Sequence, residues 1–135
     1  MDLYAPLTMR VADEGWATTR LRCTLHYTVT DPYGVQLCFP TVDAGEAPIV
    51  WTLSRELLRA GLDGLAGDGD VVCSPRGRHR TVVMLRGRHD HVALTLRSAC
   101  LREFLTRTYR LVPVGAESGL VDWDLLARQL CSSTH

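Results

Sequence analysis

Trp51-Thr52-Leu53-Ser54-Arg55-Glu56-Leu57-Leu58-Arg59-Ala60-Gly61-Leu62 is the stretch where the chain changes its period. Up to Leu53 apolar residues alternate, as they do along a strand. After Ser54, Leu57, Leu58 and Leu62 recur at helical spacing. The Ser54 hydroxyl can accept a backbone amide that has no partner inside the helix. Glu56 follows in the first turn, where the helix dipole favours an anion. Gly61 offers a left-handed residue to stop the helix. The stretch therefore predicts a strand running straight into a helix of two turns. A helix so short is not stable alone, so its leucines must pack on a sheet built by the rest of the chain.

Upstream, Leu3 to Val11 reads as a first strand, and Pro6 within it predicts an edge position. Asp13-Glu14-Gly15 is a turn with Trp16 beside it, a candidate anchor for a partner. Thr19, Leu21, Cys23, Leu25, Tyr27 and Val29 form one face of a second strand. Arg20, Arg22, Thr24, His26 and Thr28 form its polar face, where His26 reads as a hydrogen-bonded strand residue. Asp31-Pro32-Tyr33-Gly34 predicts a turn, because proline presets φ and Asp bonds its own backbone. Val35, Leu37 and Phe39 make a third strand, and Ile49 to Leu53 a fourth. Connections this short predict antiparallel pairing.

Downstream, Gly67-Asp68-Gly69-Asp70 is a tight turn. It lacks the Lys of a phosphate loop and the spaced oxygen ligands of a calcium loop. Val71 to Cys73, Thr81 to Leu85 and His91 to Leu96 predict three more strands. Ser98 is placed to cap a helix whose buried face carries Leu101, Phe104, Leu105 and Thr108. Asp122 is placed to cap a third helix with Trp123, Leu126 and Leu130 on one side. The expectation is a single α+β domain over residues 1–135, an antiparallel sheet of about seven strands with three helices.

Among 135 residues, all fifteen basic ones are Arg, and they balance fifteen acids. A neutral chain has no global attraction to nucleic acid or membrane, and neutrality favours self-association. No apolar run is long enough to span a bilayer. The start, Met1-Asp2-Leu3-Tyr4, lacks the basic and apolar regions of a signal peptide, so a cytoplasmic protein is expected. Five scattered Cys without a C-x-x-C pair argue against a disulfide framework or a zinc site. Cys23 and Cys73 alternate with apolar neighbours and read as small buried hydrophobes. His89 and His91 have no third ligand at metal-binding spacing. No catalytic, cofactor or metal residue is assigned.

Charge is uneven along the chain. From Arg76 to Arg97 there are six Arg and one Asp, a formal +5. Arg76, Arg78, Arg80 and Arg88, with Trp16, are the candidate protein-interaction residues. The segment has no aromatic on which to stack a base, which disfavours single-stranded nucleic acid.

Four segments, in this order and spacing, resemble the SsgA-like proteins, sporulation-specific cell-division activators of filamentous actinomycetes. They are Asp31-Pro32-Tyr33-Gly34-Val35, Trp51 to Gly61, Gly67-Asp68-Gly69-Asp70-Val71 with Ser74-Pro75, and Phe104-Leu105-Thr106-Arg107-Thr108. The resemblance implies a Whirly-like fold assembled as a trimer. It implies a non-enzymatic role at division septa, in contact with the tubulin-like protein FtsZ and with other SsgA-like proteins. The alternative is a nucleic-acid-binding module of the same fold.

Overall fold

The computed structural model describes residues 1–12, 19–41, 45–67 and 69–120. Seven strands form one sheet: β1 (Asp2–Val11), β2 (Arg20–Thr28), β3 (Asp31–Phe39), β4 (Ile49–Ser54), β5 (Val71–Arg76), β6 (Arg80–Arg86) and β7 (His91–Arg97). Helix α1 (Arg55–Gly61) follows β4, and α2 (Ser98–Leu111) follows β7. A 3₁₀ turn occupies Glu117–Leu120. The expected third helix, after Asp122, falls on residues 121–135, outside the described residues. Two α-helices therefore stand among the described residues where three were expected.

The strand order is β4-β3-β2-β1-β7-β6-β5, and every pairing is antiparallel. Two meanders meet at the β1–β7 seam, where only Arg10↔Thr95 and Val11↔Leu94 pair. Pro6 was expected to mark an edge strand, yet β1 lies inside the sheet. The seam explains this. From Asp2 to Met9, β1 pairs with β2 alone, so at Pro6 it is locally an edge and the missing amide interrupts no second ladder. Pro75 stands near the end of β5, which is a true edge.

Helix α1 packs on β3 and β4 at one end of the strand order and on β5 at the other. The sheet is therefore curled, and α1 plugs the gap between its edges. Ser54 caps this helix as expected: its Oγ accepts the Leu57 amide at 3.1 Å. Gly61 does not act as expected. It lies inside the helix with no positive φ. It is needed for close approach, because a Cβ there would collide with Cys73 Sγ on β5.

The core fills the concave face. Cys23, Leu25, Tyr27, Val35, Leu37 and Leu53 meet Val83, Leu85, Leu94 and Leu96 beneath Leu58 of α1 and Leu101, Phe104 and Leu105 of α2. Burial pushes the Cys23 thiol up to about 12 and the Cys73 thiol up to about 11, which keeps both protonated. The predicted Asp31–Gly34 turn lies earlier, at Val29-Thr30, and β3 already begins at Asp31. Pro32 is buried there, and its carbonyl accepts the Tyr27 hydroxyl at 3.0 Å. Ser98 does not cap α2. Its hydroxyl lies 2.7 Å from that of Thr81, a buried group that needs a partner. No helix among the described residues is long and apolar enough to cross a membrane.

Candidate protein-interaction groove

The β5–β6 turn, residues 77–79, folds against the start of α2, where the Ser98 amide donates to the His79 carbonyl at 2.8 Å. Gly77, with φ +69, makes the tight reversal possible. This contact lays the turn alongside the outer face of α2 and leaves a groove of about 820 Å³ between them. Arg78, His79 and Arg97 form one wall; Arg102, Glu103, Thr106, Arg107 and Arg110 of α2 form the other. Five Arg face one Glu, a formal +4 on a chain whose total is zero. The five Arg are exposed, and among the described residues none of them is in a salt bridge. Helix α2 adds to the field, since its first turn has no acid and its N-cap residue, Arg97, makes no side-chain cap bond.

The structure separates the arginines expected to act together. Arg78 enters the groove. Arg76 ends β5, directly across the strand pair from Arg80. Arg80 is half-buried and holds β7: its Nε donates to Thr95 Oγ1 at 3.0 Å and its NH2 to the Thr95 carbonyl at 3.0 Å. Burial, then the nearby Arg10 and Arg97, lower its affinity for a proton. Arg88 lies in the β6–β7 turn, at the opposite end of β6. Trp16 lies outside the described residues. The other groove arginines of α2, Arg102, Arg107 and Arg110, lie outside the basic stretch between Arg76 and Arg97. Their signal was three Arg against one Glu on the outward side of one helix.

Arg55 builds a second polar site, at the junction of α1 and α2. It occupies the first position of α1, where the dipole disfavours a cation, and it is 1% exposed. Its guanidinium turns away from its own helix toward the C-terminus of α2. There Nη1 donates to the carbonyls of Thr108 at 3.2 Å and Val112 at 2.8 Å, and Nη2 to Glu117 Oε1 at 2.7 Å. The Tyr109 ring lies 4.0 Å from it and the Tyr27 ring 5.2 Å. The Thr108 carbonyl also accepts the Val112 amide at 2.8 Å, whereas the Val112 carbonyl lies past the last helical amide, and Arg55 supplies its donor. Its place at a helix start, against the usual charge rule, was the signal available in the sequence.

Two other features are structural. His26 bonds Gln36 at 2.8 Å and Asp2 at 3.2 Å and stacks on Tyr4, as expected of a partnered strand residue. An apolar cleft of about 630 Å³, lined among others by Leu21, Phe39, Ile49, Trp51, Leu85 and Val92, opens on the concave face. Among the described residues no three of His, Cys, Asp and Glu gather to hold a metal.

Fold and groove together define an α+β protein with a curled antiparallel sheet and a concentrated basic surface. Residues 21–117 match the family profile described as Streptomyces sporulation and cell division protein, SsgA. The sporulation-specific cell division protein SsgB of Frankia casuarinae is 32% identical over 125 residues, covering 90% of this chain and 86% of that protein. SsgB of Thermobifida fusca is 38% identical over 111 residues, covering 80% and 79%. A solved SsgB structure, from work on mutations that correlate to longitudinal cell division during sporulation of Streptomyces coelicolor, superposes with a TM-score of 0.81. It has 28% identity over 89% of this chain and 95% of that one. The crystal structure of an SsgA-like sporulation-specific cell division protein from Thermobifida fusca gives a TM-score of 0.79 at 30% identity, covering 96% and 95%. The chain belongs to the SsgA family of sporulation and cell division proteins.

Proposed function

We propose that this chain is a non-enzymatic adaptor of sporulation-specific cell division. It acts in the cytoplasm at division septa, helping to place or activate the septum through contacts with FtsZ and other SsgA-like proteins. It works as a homotrimer of Whirly-like subunits. The observation that carries the role is the match of relatives named for sporulation-specific cell division across most of the chain. The neutral total charge favours self-association. The concentration of positive charge in one groove supports a directed contact with a protein partner.

The test is capture of the tagged full chain from sporulating cells, followed by identification of what is enriched. Enrichment of FtsZ or of another SsgA-like protein is expected. Enrichment of neither, with the tagged chain still complementing a deletion strain, overturns the partner assignment. Light scattering checks the assembly, and a particle of 15.0 kDa at all concentrations would exclude the trimer.

A further inference from the structure

We propose that the groove between the β5–β6 turn and α2 is a clamp for an extended, acidic segment of a partner protein, bound through Arg78, Arg102 and Arg110. The inference rests on the adaptor reading and names the chemistry of its contact.

The geometry is that of a trough with one charged wall on a rigid helix. Arg102 and Arg110 are eight positions apart on α2, a rise of about 12 Å. An extended chain covers that distance in about four residues. Two carboxylates four positions apart, on the same side of such a segment, would face the two guanidinium groups, and Arg78 would close over a third from the opposite wall. Arg binds carboxylate through two parallel N–H···O bonds, so each contact sets direction as well as charge. The five groove Arg have no acid paired to them among the described residues, so binding breaks no salt bridge there.

Competing anionic partners fit less well. Among the described residues no Phe, Tyr or Trp lines the groove and His79 is its one ring, so a nucleic-acid strand would gain phosphate contacts with little base stacking. Glu103 stands in the wall and would lie against a continuous phosphate backbone, whereas a peptide can place a neutral or basic residue opposite it. A flat bilayer meets convex surfaces, and these charges line a concavity.

The test uses the full-length protein and three probes in about 0.15 M salt, where long-range attraction is largely screened. The probes are a fluorescent peptide with about six alternating Glu and Asp residues, a labelled oligothymidylate of about fifteen nucleotides, and vesicles of equal parts phosphatidylglycerol and phosphatidylcholine. The variant is Arg102→Glu with Arg110→Glu, first shown by circular dichroism to keep the fold. Arg20→Glu with Arg22→Glu serves as a charge-matched control on β2. The peptide should bind in the micromolar range and the groove variant should lose at least about tenfold, with the β2 control within about twofold of wild type. No peptide binding, equal loss in both variants, or tighter binding of the oligonucleotide or the vesicles overturns the proposal.

Septal localisation of the groove variant in sporulating cells separates this inference from the adaptor reading. Lost localisation with no peptide binding by the wild type overturns the acidic-segment inference and leaves the adaptor standing. Peptide binding lost in the variant while localisation persists supports the clamp and removes this groove from the adaptor's septal contact.

Discussion

The Arg55 junction and the α2 groove both rest on guanidinium groups, and the two regions use them in opposite ways. Arg55 is 1% exposed and holds two carbonyls, a carboxylate and two tyrosine rings. Arg78, Arg102, Arg107 and Arg110 stand in water with no acid paired to them among the described residues. A buried cation is retained only where its partners offset the loss of water, so its removal leaves those partners stranded. An exposed cation has its hydration to fall back on, and its loss costs the fold little. The first region therefore holds the two helices together, and the second is free to bind.

The largest expected effect is at Arg55. Arg55→Met keeps much of the side-chain volume, strands the Val112 carbonyl, and takes one donor from the Thr108 carbonyl and the ion pair from Glu117. It should cost about 3–5 kcal/mol in urea unfolding. A loss below about 1 kcal/mol would place Arg55 with ordinary surface arginines and break the contrast.

Next comes the seat of α1 on β5. Gly61→Ala forces a methyl toward Cys73 and should cost about 1–3 kcal/mol, as overpacking does. Cys73→Ala in the same chain should recover part of that loss, since the two sites touch. Purely additive losses would show that the clash lies elsewhere.

Glu117 sharpens the comparison through pH. Its own backbone amide, then the Arg55 guanidinium, hold its carboxyl below the ordinary value of 4.5. The unfolded chain thus takes up this proton at higher pH than the folded one. The stabilisation is present above the ordinary value and is lost as pH falls through the folded value. Melting temperatures between about pH 6 and about pH 3 should fall less steeply in Glu117→Gln than in the wild type. Parallel curves would remove Glu117 from the junction's energetics.

The smallest expected effect on stability is in the groove. Arg102→Glu with Arg110→Glu should change unfolding by no more than about 0.5 kcal/mol per site, as exposed substitutions do. A large loss would mean that these arginines brace α2, and the division of labour would fail.

Local physics made much of this legible. The strands could be read because side chains alternate across a pleat, and that pattern needs no knowledge of the partner strand. The Ser54 cap could be read because the hydroxyl and the amide it accepts are three residues apart. Where a residue serves a distant neighbour, local pattern misplaces it. Gly61 has the local look of a left-handed stop, but its reason lies on β5 at Cys73. Ser98 stands where a cap is expected, but buried Thr81 claims its hydroxyl. Pro6 predicts a sheet edge, but the shortness of the β1–β7 seam lets it lie inside.

The amino-acid order by itself thus determined an α+β chain, its seven strands, both described helices and the family it resembles, since periodicity, caps and motif spacing are short-range properties. It also showed a basic stretch between Arg76 and Arg97. Only the tertiary structure decided which arginines act together. Contact between the β5–β6 turn and the start of α2 brings Arg78 beside Arg102 and Arg110. The length of β6 carries Arg88 to the other end of the strand, and burial against Thr95 commits Arg80 to the fold. A side chain's charge is written in the sequence; whether it meets water, a carbonyl or a partner depends on which distant segment packs beside it.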